Sequence, residues 1–225
     1  TLGPATNTKE TLTELASSGV NVFRINFSHA DYEDVKKRVK QIREINQENG
    51  YNVAILADLQ GPKLRVGVME DGVVLEDGDE FVFTTEECVG NNEKAFMTYQ
   101  NFPRDVKPGE QILVDDGKLL FEVISTDKKL KVVTKIIVGG VLSSKKGVNL
   151  PNTNISLPAL TEKDKKDAIF ALSLDVDWLA LSFVRTPEDL RILRDLIAQN
   201  SKYRVPVIAK IEKPEAVENI DSLIP

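Results

Sequence analysis

The chain has 225 residues, 41% hydrophobic and 28% charged, enough for one large domain or two modest ones. A formal net charge of −6 argues against a general nucleic-acid binder, although a few local Lys and Arg residues suffice to hold a phosphate. No apolar run approaches the ~20 residues of a membrane helix, nothing reads as a signal or transit peptide, and the lone Cys88 excludes an internal disulfide and fits a reducing compartment.

Residues 1–66 read as the first part of an α/β domain. Thr1 without a preceding Met and the abrupt stop at Pro225 read as cut ends, and Thr1–Thr6 as the tail of a strand. Residues 8–18 suit a short helix with Leu12 and Leu15 inward and Gly19 as a stop. Val20–Ile25 is a strand. Residues 31–49 form an amphipathic helix, because Tyr32, Val35, Val39, Ile42 and Ile45 recur at helical spacing with charges between them. Val53–Ala57 is a continuous apolar strand, the pattern of a parallel sheet buried on both faces.

The texture changes over residues 67–152. No helix is predicted there. Turn signals recur at Asp71-Gly72, Asp77-Gly78, Pro108-Gly109, Asp116-Gly117 and Gly139-Gly140. Strand-like runs lie between them at Phe81–Phe83, Ile112–Val114, Leu119–Ile124 and Leu130–Val138, spaced for a small all-β barrel or sandwich.

Residues 153–225 resume the α/β rhythm. Thr161–Leu172 opens with Thr161 and Asp164 spaced as a helix cap. Val176–Val184 is a strand. Thr186-Pro187-Glu188-Asp189 supplies an N-cap, a proline at the first helical position and an acidic first turn. Leu190, Leu193, Leu196 and Ile197 give that helix its buried stripe, and Val205–Ile211 is the last strand. A full (β/α)8 barrel needs about 250 residues, and setting aside the roughly 85-residue β insertion leaves about 140 here, near half a barrel. The expected fold is therefore either a small open α/β sheet or a partial (β/α)8 TIM barrel with an inserted all-β lid domain. The cut ends favour the second.

Chemically loaded residues cluster at the predicted strand ends: Arg24, Asn26 and Ser28; Asp58; Ser182; and Lys210 with Glu212. Residues two apart on a strand share a face, which pairs Arg24 with Asn26 and Lys210 with Glu212. Catalytic groups of βα-barrel enzymes sit at the carboxyl ends of strands, so one site assembled from several strand ends is the leading expectation. Arg24 can grip a phosphate or carboxylate, or make a salt bridge at a barrel mouth. Asn26, Ser28 and Asp58 offer oxygens to a hard cation, or act as caps and turn residues. A lysine among apolar neighbours, such as Lys210, needs an anion to meet it. Glu212 suits a magnesium ligand, or forms an ion pair with Lys210. Arg65 and Lys146 could meet nucleotide phosphates or remain solvated, and His29 reads as a loop or cap histidine.

In this order VFRINFSH, ADLQGPKLR, LVDDG, KKGVNLP, LSFVR and AKIE span essentially the whole chain, which resembles pyruvate kinase. The resemblance implies a (β/α)8 barrel with a β lid inserted after its third strand, and phosphoryl transfer from phosphoenolpyruvate to ADP, giving pyruvate and ATP in glycolysis. It implies that Arg24 and Lys210 are catalytic and bind substrate, and that Glu212 holds Mg2+ or Mn2+. Asn26, Phe27, Ser28, His29, Arg65 and Lys146 would bind nucleotide. Asn26, Ser28 and Asp58 would form a monovalent-cation site, and the full-length enzyme would be a cytoplasmic homotetramer. Potassium-dependent members read Asp-Thr-Lys-Gly-Pro-Glu where this chain reads Asp58-Leu59-Gln60-Gly61-Pro62-Lys63. A lysine replaces the glutamate, so K+ is expected not to be required. The family's second metal aspartate lies past Pro225, and the chain alone is expected to be inactive. Two rivals remain: a magnesium-dependent lyase or aldolase on a related barrel, and a non-catalytic domain whose β module binds a partner.

Overall fold

The computed structural model describes residues 1–224, apart from the His29 side chain. Two compact units divide it. Thr1–Pro62 and the segment from Pro158 onward form one, and Lys63–Leu157 the other. Each has its own hydrophobic core.

In the first unit, α1 (Lys9–Ser17) starts where the Thr8 side chain accepts the Thr11 N–H. It leads to β1 (Val22–Asn26). Helix α2 (Tyr32–Asn49) is capped by Asp31, whose side chain accepts the Asp34 N–H, and ends at Gly50 with φ +70, where a side chain would be strained. Val35, Val39, Ile42 and Ile45 form its buried stripe, as the spacing predicts. Strand β2 (Ala54–Asp58) follows.

The chain then enters the second unit. Its strands are β3 (Leu64–Arg65), β4 (Val74–Leu75), β5 (Glu80–Thr84) and β6 (Lys94–Phe96), then β7 (Gln111–Val114), β8 (Leu119–Thr126), β9 (Lys131–Val138), β10 (Gly140–Val141) and β11 (Gly147–Asn149). A four-residue helix, α3 (Phe102–Asp105), lies between β6 and β7. This corrects the expectation of no helix: Pro103 sits in its first turn, where a missing N–H costs nothing, and Phe102 is fully buried. Seven strands form one sheet in the order β3-β11-β7-β8-β9-β5-β6, while β10 pairs with β4. Phe81, Phe83, Phe102 and Phe121 pack as edge-on and tilted rings inside it. Burying each contributes roughly 1.5–3 kcal/mol.

The first unit resumes with α4 (Glu162–Ser173), β12 (Trp178–Leu181), α5 (Pro187–Asn200) and β13 (Val207–Ala209). Two short helices that the sequence reading left out, α6 (Pro214–Glu218) and α7 (Ile220–Leu223), come last. The strands form one sheet, β1-β2-β12-β13, parallel at every pairing. Parallel pairing points all four carboxyl ends the same way, and α2, α4 and α5 supply the crossovers. The N-terminal segment departs from the expected strand tail. Pro4–Thr6 is a 3-10 turn, and Leu2 makes one ladder-like bond, its N–H to the Arg24 carbonyl at 2.8 Å. Pro4 has no N–H with which to continue a ladder. Among the described residues no helix is long and apolar enough to cross a membrane.

Candidate active site

The carboxyl ends of the four strands bring the predicted residues of the first unit together. In the β1–β2 register Asn26 stands opposite Asp58, and in the β2–β12 register Ala180 does. Lys210 directly follows β13, and its N–H donates to the Leu181 carbonyl at 3.0 Å, carrying the pairing one residue past the strand.

Asp58 is the hub. It is 2% exposed. The Arg24 guanidinium donates to its Oδ2 through Nε at 2.7 Å and also through Nη2. Lys210 Nζ lies 3.2 Å from Oδ1 and 3.4 Å from Oδ2. The same ammonium donates to Ser182 Oγ at 2.8 Å and stands 3.3 Å from Glu212 Oε1. Buried Ser182 donates its own proton to the Leu59 carbonyl at 2.5 Å. Glu212 is at the rim, and its Oε2 accepts the Phe183 N–H at 3.0 Å. Arg24 completes its contacts with the Thr1 hydroxyl at 2.8 Å. Two carboxylates, one guanidinium and one ammonium thus alternate across the strand ends. That pattern can receive an anion on the cations and a cation on Glu212.

The remaining predicted residues of this unit are Asn26, the last residue of β1, and the 3-10 turn Phe27–His29 that follows it. Asn26 Oδ1 accepts the Ser28 N–H at 2.9 Å, the cap-like use that the sequence left open. The Phe27 side chain is fully buried in the core, and its carbonyl accepts Lys163 Nζ at 2.8 Å. Only the backbone of Phe27 is therefore left to face a ligand. The side chain of His29 lies outside the described residues.

Arg65 and Lys146 meet at one corner of the second unit, where β3 pairs with β11. Arg65 Nη1 donates to the Lys145 carbonyl at 2.7 Å, and Lys146 Nζ pairs with Asp115 Oδ1 at 3.0 Å. Lys146, with help from Lys118, holds the Asp115 carboxyl below its ordinary range. Lys63 is exposed at the start of this unit.

The sequence reading named Ser182 as a strand-end residue, but it gave neither Ser182 nor Phe183 nor Gly61 a role in the site. Asp164 was read as a helix cap. It is also the acceptor of the Gly61 N–H at 3.0 Å, which ties the start of α4 to the loop after β2.

Among the described residues no group of three or more His, Cys, Asp or Glu side chains could hold a metal by itself. Magnesium is commonly held by one or two carboxylates with the rest of its shell from water and phosphate oxygens. Rim-exposed Glu212, with one oxygen fixed by a backbone N–H, fits that partial role.

A parallel βα sheet with ionisable groups gathered on the carboxyl ends of its strands, carrying a β unit between the second strand and the next helix, defines a partial βα-barrel of the enzyme class. Residues 1–225 match the family described as pyruvate kinase, barrel domain. The chain is 43% identical over 225 residues to a pyruvate kinase of Corynebacterium glutamicum and 41% identical over 226 residues to one of Geobacillus stearothermophilus. All of this chain is aligned in both cases, against 47% and 38% of those proteins. A solved pyruvate kinase from Cryptosporidium parvum superposes with a TM-score of 0.91 at 33% identity, covering 99% of this chain and 47% of that one. The chain belongs to the pyruvate kinase family. It spans about half the length, or less, of the relatives named here.

Proposed function

We propose that this chain is the barrel-and-lid part of a pyruvate kinase that moves the phosphoryl group of phosphoenolpyruvate to ADP. The observation that carries the reading is the Lys210 ammonium, held at the strand ends between Ser182, Asp58 and Glu212. The family match and the relatives' names support it.

The chemistry follows from the residues. The bond between the substrate's C2 oxygen and phosphorus breaks, a terminal phosphate oxygen of ADP bonds to that phosphorus, and the enolate left behind takes a proton at C3. Arg24, with Nη1 directed at the exposed Thr1, grips the transferring phosphoryl group. Lys210 is a fixed positive charge against the oxygens on which negative charge develops, and Asp58 and Ser182 keep it in place. Glu212 holds the divalent cation, Mg2+ or Mn2+, which neutralises phosphate charge when bound. For the nucleotide, Asn26–His29 is the candidate segment of the first unit, and Arg65 with Lys146, at their own corner, is the candidate pair of the second.

The monovalent-cation site at Asn26, Ser28 and Asp58 is not used by K+ in this reading. Asp58 already faces Arg24 and Lys210, and Lys63 stands in the sequence where potassium-dependent members carry a glutamate. A further cation would enter against like charges.

The test is pyruvate formation from phosphoenolpyruvate, ADP and Mg2+ by the full-length polypeptide that carries this chain. Lys210→Met is expected to lower kcat by roughly 100- to 1,000-fold, the scale of losing one preorganised stabilising group, with KM little changed. A full-length protein that makes no pyruvate, or a Lys210→Met variant that keeps its kcat, overturns the assignment.

A further inference from the structure

The Ser182–Phe183 turn touches both members of the Lys210–Glu212 pair through different groups. Ser182 acts through its side chain, which takes the Lys210 ammonium at 2.8 Å. Phe183 acts through its backbone, whose N–H donates to Glu212 Oε2 at 3.0 Å. Phe183 has φ +55, in the left-handed region. A bulky aromatic residue rarely adopts it, and backbone strain of this kind persists only where the surroundings enforce it, commonly at functional sites.

The surroundings that enforce it are visible. Gly61 has φ +69, and a Cβ there would lie 2.8 Å from Phe183 Cδ2 and 2.9 Å from Ser182 Cβ. Only a glycine leaves room for the Phe183 ring. Gly61 is in turn fixed by the buried Asp164 carboxylate at the start of α4. Seat, ring and strained backbone form one chain of contacts that ends on a carboxylate oxygen.

We propose that Phe183 is a positioning residue for Glu212. Its left-handed backbone aims the N–H at Oε2, which fixes the plane of the carboxylate and leaves Oε1 turned toward Lys210. The inference rests on the reading of Glu212 as the divalent-cation ligand. Partners that orient a ligating carboxylate typically account for 10- to 100-fold in metal affinity or activity.

The test uses the full-length polypeptide and Mn2+ as the probe, with free Mn2+ followed by electron paramagnetic resonance. Glycine enters the left-handed region freely and keeps the N–H but has no ring. Valine keeps the N–H but its branched Cβ resists that region. Phe183→Val is expected to weaken Mn2+ binding about tenfold, while Phe183→Gly stays within about threefold of the parent, and KM for ADP moves in neither. Equal affinities for the parent and Phe183→Val overturn the proposal. So does a Phe183→Gly variant as weak as Phe183→Val, since the ring rather than the backbone would then be responsible. If Phe183→Val does not fold, Phe183→Leu against Phe183→Asn gives the same contrast, because Asn tolerates the left-handed region. Glu212→Gln separates the two levels. Weakened Mn2+ binding in that variant upholds the reading of Glu212 and leaves the Phe183 comparison decisive. Unchanged binding shows that Glu212 is not the ligand, and the inference falls with that reading.

Discussion

Asp58 carries more of the site than any other side chain. It is buried, whereas its partners Arg24 and Lys210 keep 39% and 28% of their side-chain surface in water. The two cations are therefore still hydrated enough to engage a substrate, while the carboxylate between them is not free to leave. That charge balance underlies the potassium prediction. In the full-length polypeptide, turnover is expected to be the same with K+ as with a large organic cation in its place. Lys63→Glu removes one positive charge and adds a negative one, and should make turnover depend on K+ by roughly tenfold, which takes only about 1.4 kcal/mol of charge interaction. A parent enzyme that itself needs K+ would refute the role given to Lys63. Much of this cluster was legible in the sequence, because side chains alternate on strands and polar residues at apolar strand ends stand out: Lys210 with Glu212, Arg24 and Asp58 are examples. Phe183 and Gly61 were not legible. Their contributions are backbone dihedrals and the absence of a Cβ, and neither leaves a polarity pattern to read.

At the scale of elements, the four long helices α1, α2, α4 and α5 were the most readable because their ends carry their own chemistry. Thr161 and Asp164 exchange both bonds of a capping box, and Pro187 opens α5. The two-residue strands β3, β4 and β10 were not readable, since a period of two cannot show in so short a run. They exist because a partner pairs their backbone, β11 for β3, and β4 and β10 for each other. A second device fastens the last stretch of the β unit. The Tyr99 hydroxyl donates to Asp105 and meets Ser156 Oγ at 2.9 Å, and the Ser156 N–H donates to Asp105 at 2.8 Å. Burial, and then the Asp105 carboxylate, push the Tyr99 phenol up from 10.0 to about 12. The folded state thus favours the protonated phenol. Its contribution is full below pH 10, and it is lost as pH rises from 10 to about 12, a loss on the order of 2 kcal/mol. Tyr32 in the other unit is also raised to about 12. The difference between the chain and Tyr99→Phe therefore isolates Tyr99. Urea denaturation at successive pH values should show Tyr99→Phe less stable below pH 10 and converging on the parent above it. A constant gap across that window would mean that the hydroxyl has no preferential hold on its proton.

The whole molecule joins two units with different degrees of self-sufficiency. Lys63–Leu157 closes a seven-stranded, mostly antiparallel sheet around its own phenylalanine core. The other unit ends its four parallel strands on open edges at β1 and β13 among the described residues. Leu2 meets the β1 edge with a single bond, and Ile208 and Ile211 at the β13 edge are 39% and 41% exposed. Parallel sheets are stable when both faces and edges are covered, and an unpaired edge with apolar side chains invites pairing with another chain. The sequence separated the two units by texture, periodicity 3.6 against turn-rich periodicity 2, and a length near half a barrel already implied an unpaired edge in the α/β unit and a β unit able to fold alone, but which strands form that edge is a property of the assembled sheet. The structure predicts an asymmetry. Lys63–Leu157 produced by itself should sediment as a monomer and unfold in urea in one cooperative transition. Thr1–Pro62 joined by a short linker to the segment from Pro158 onward should self-associate, with its mean mass rising with concentration. The two results bear on different claims. An unfolded Lys63–Leu157 would mean that its core needs the other unit to form, and a monomeric, folded partner unit would mean that the β1 and β13 edges are better protected than their exposed side chains indicate.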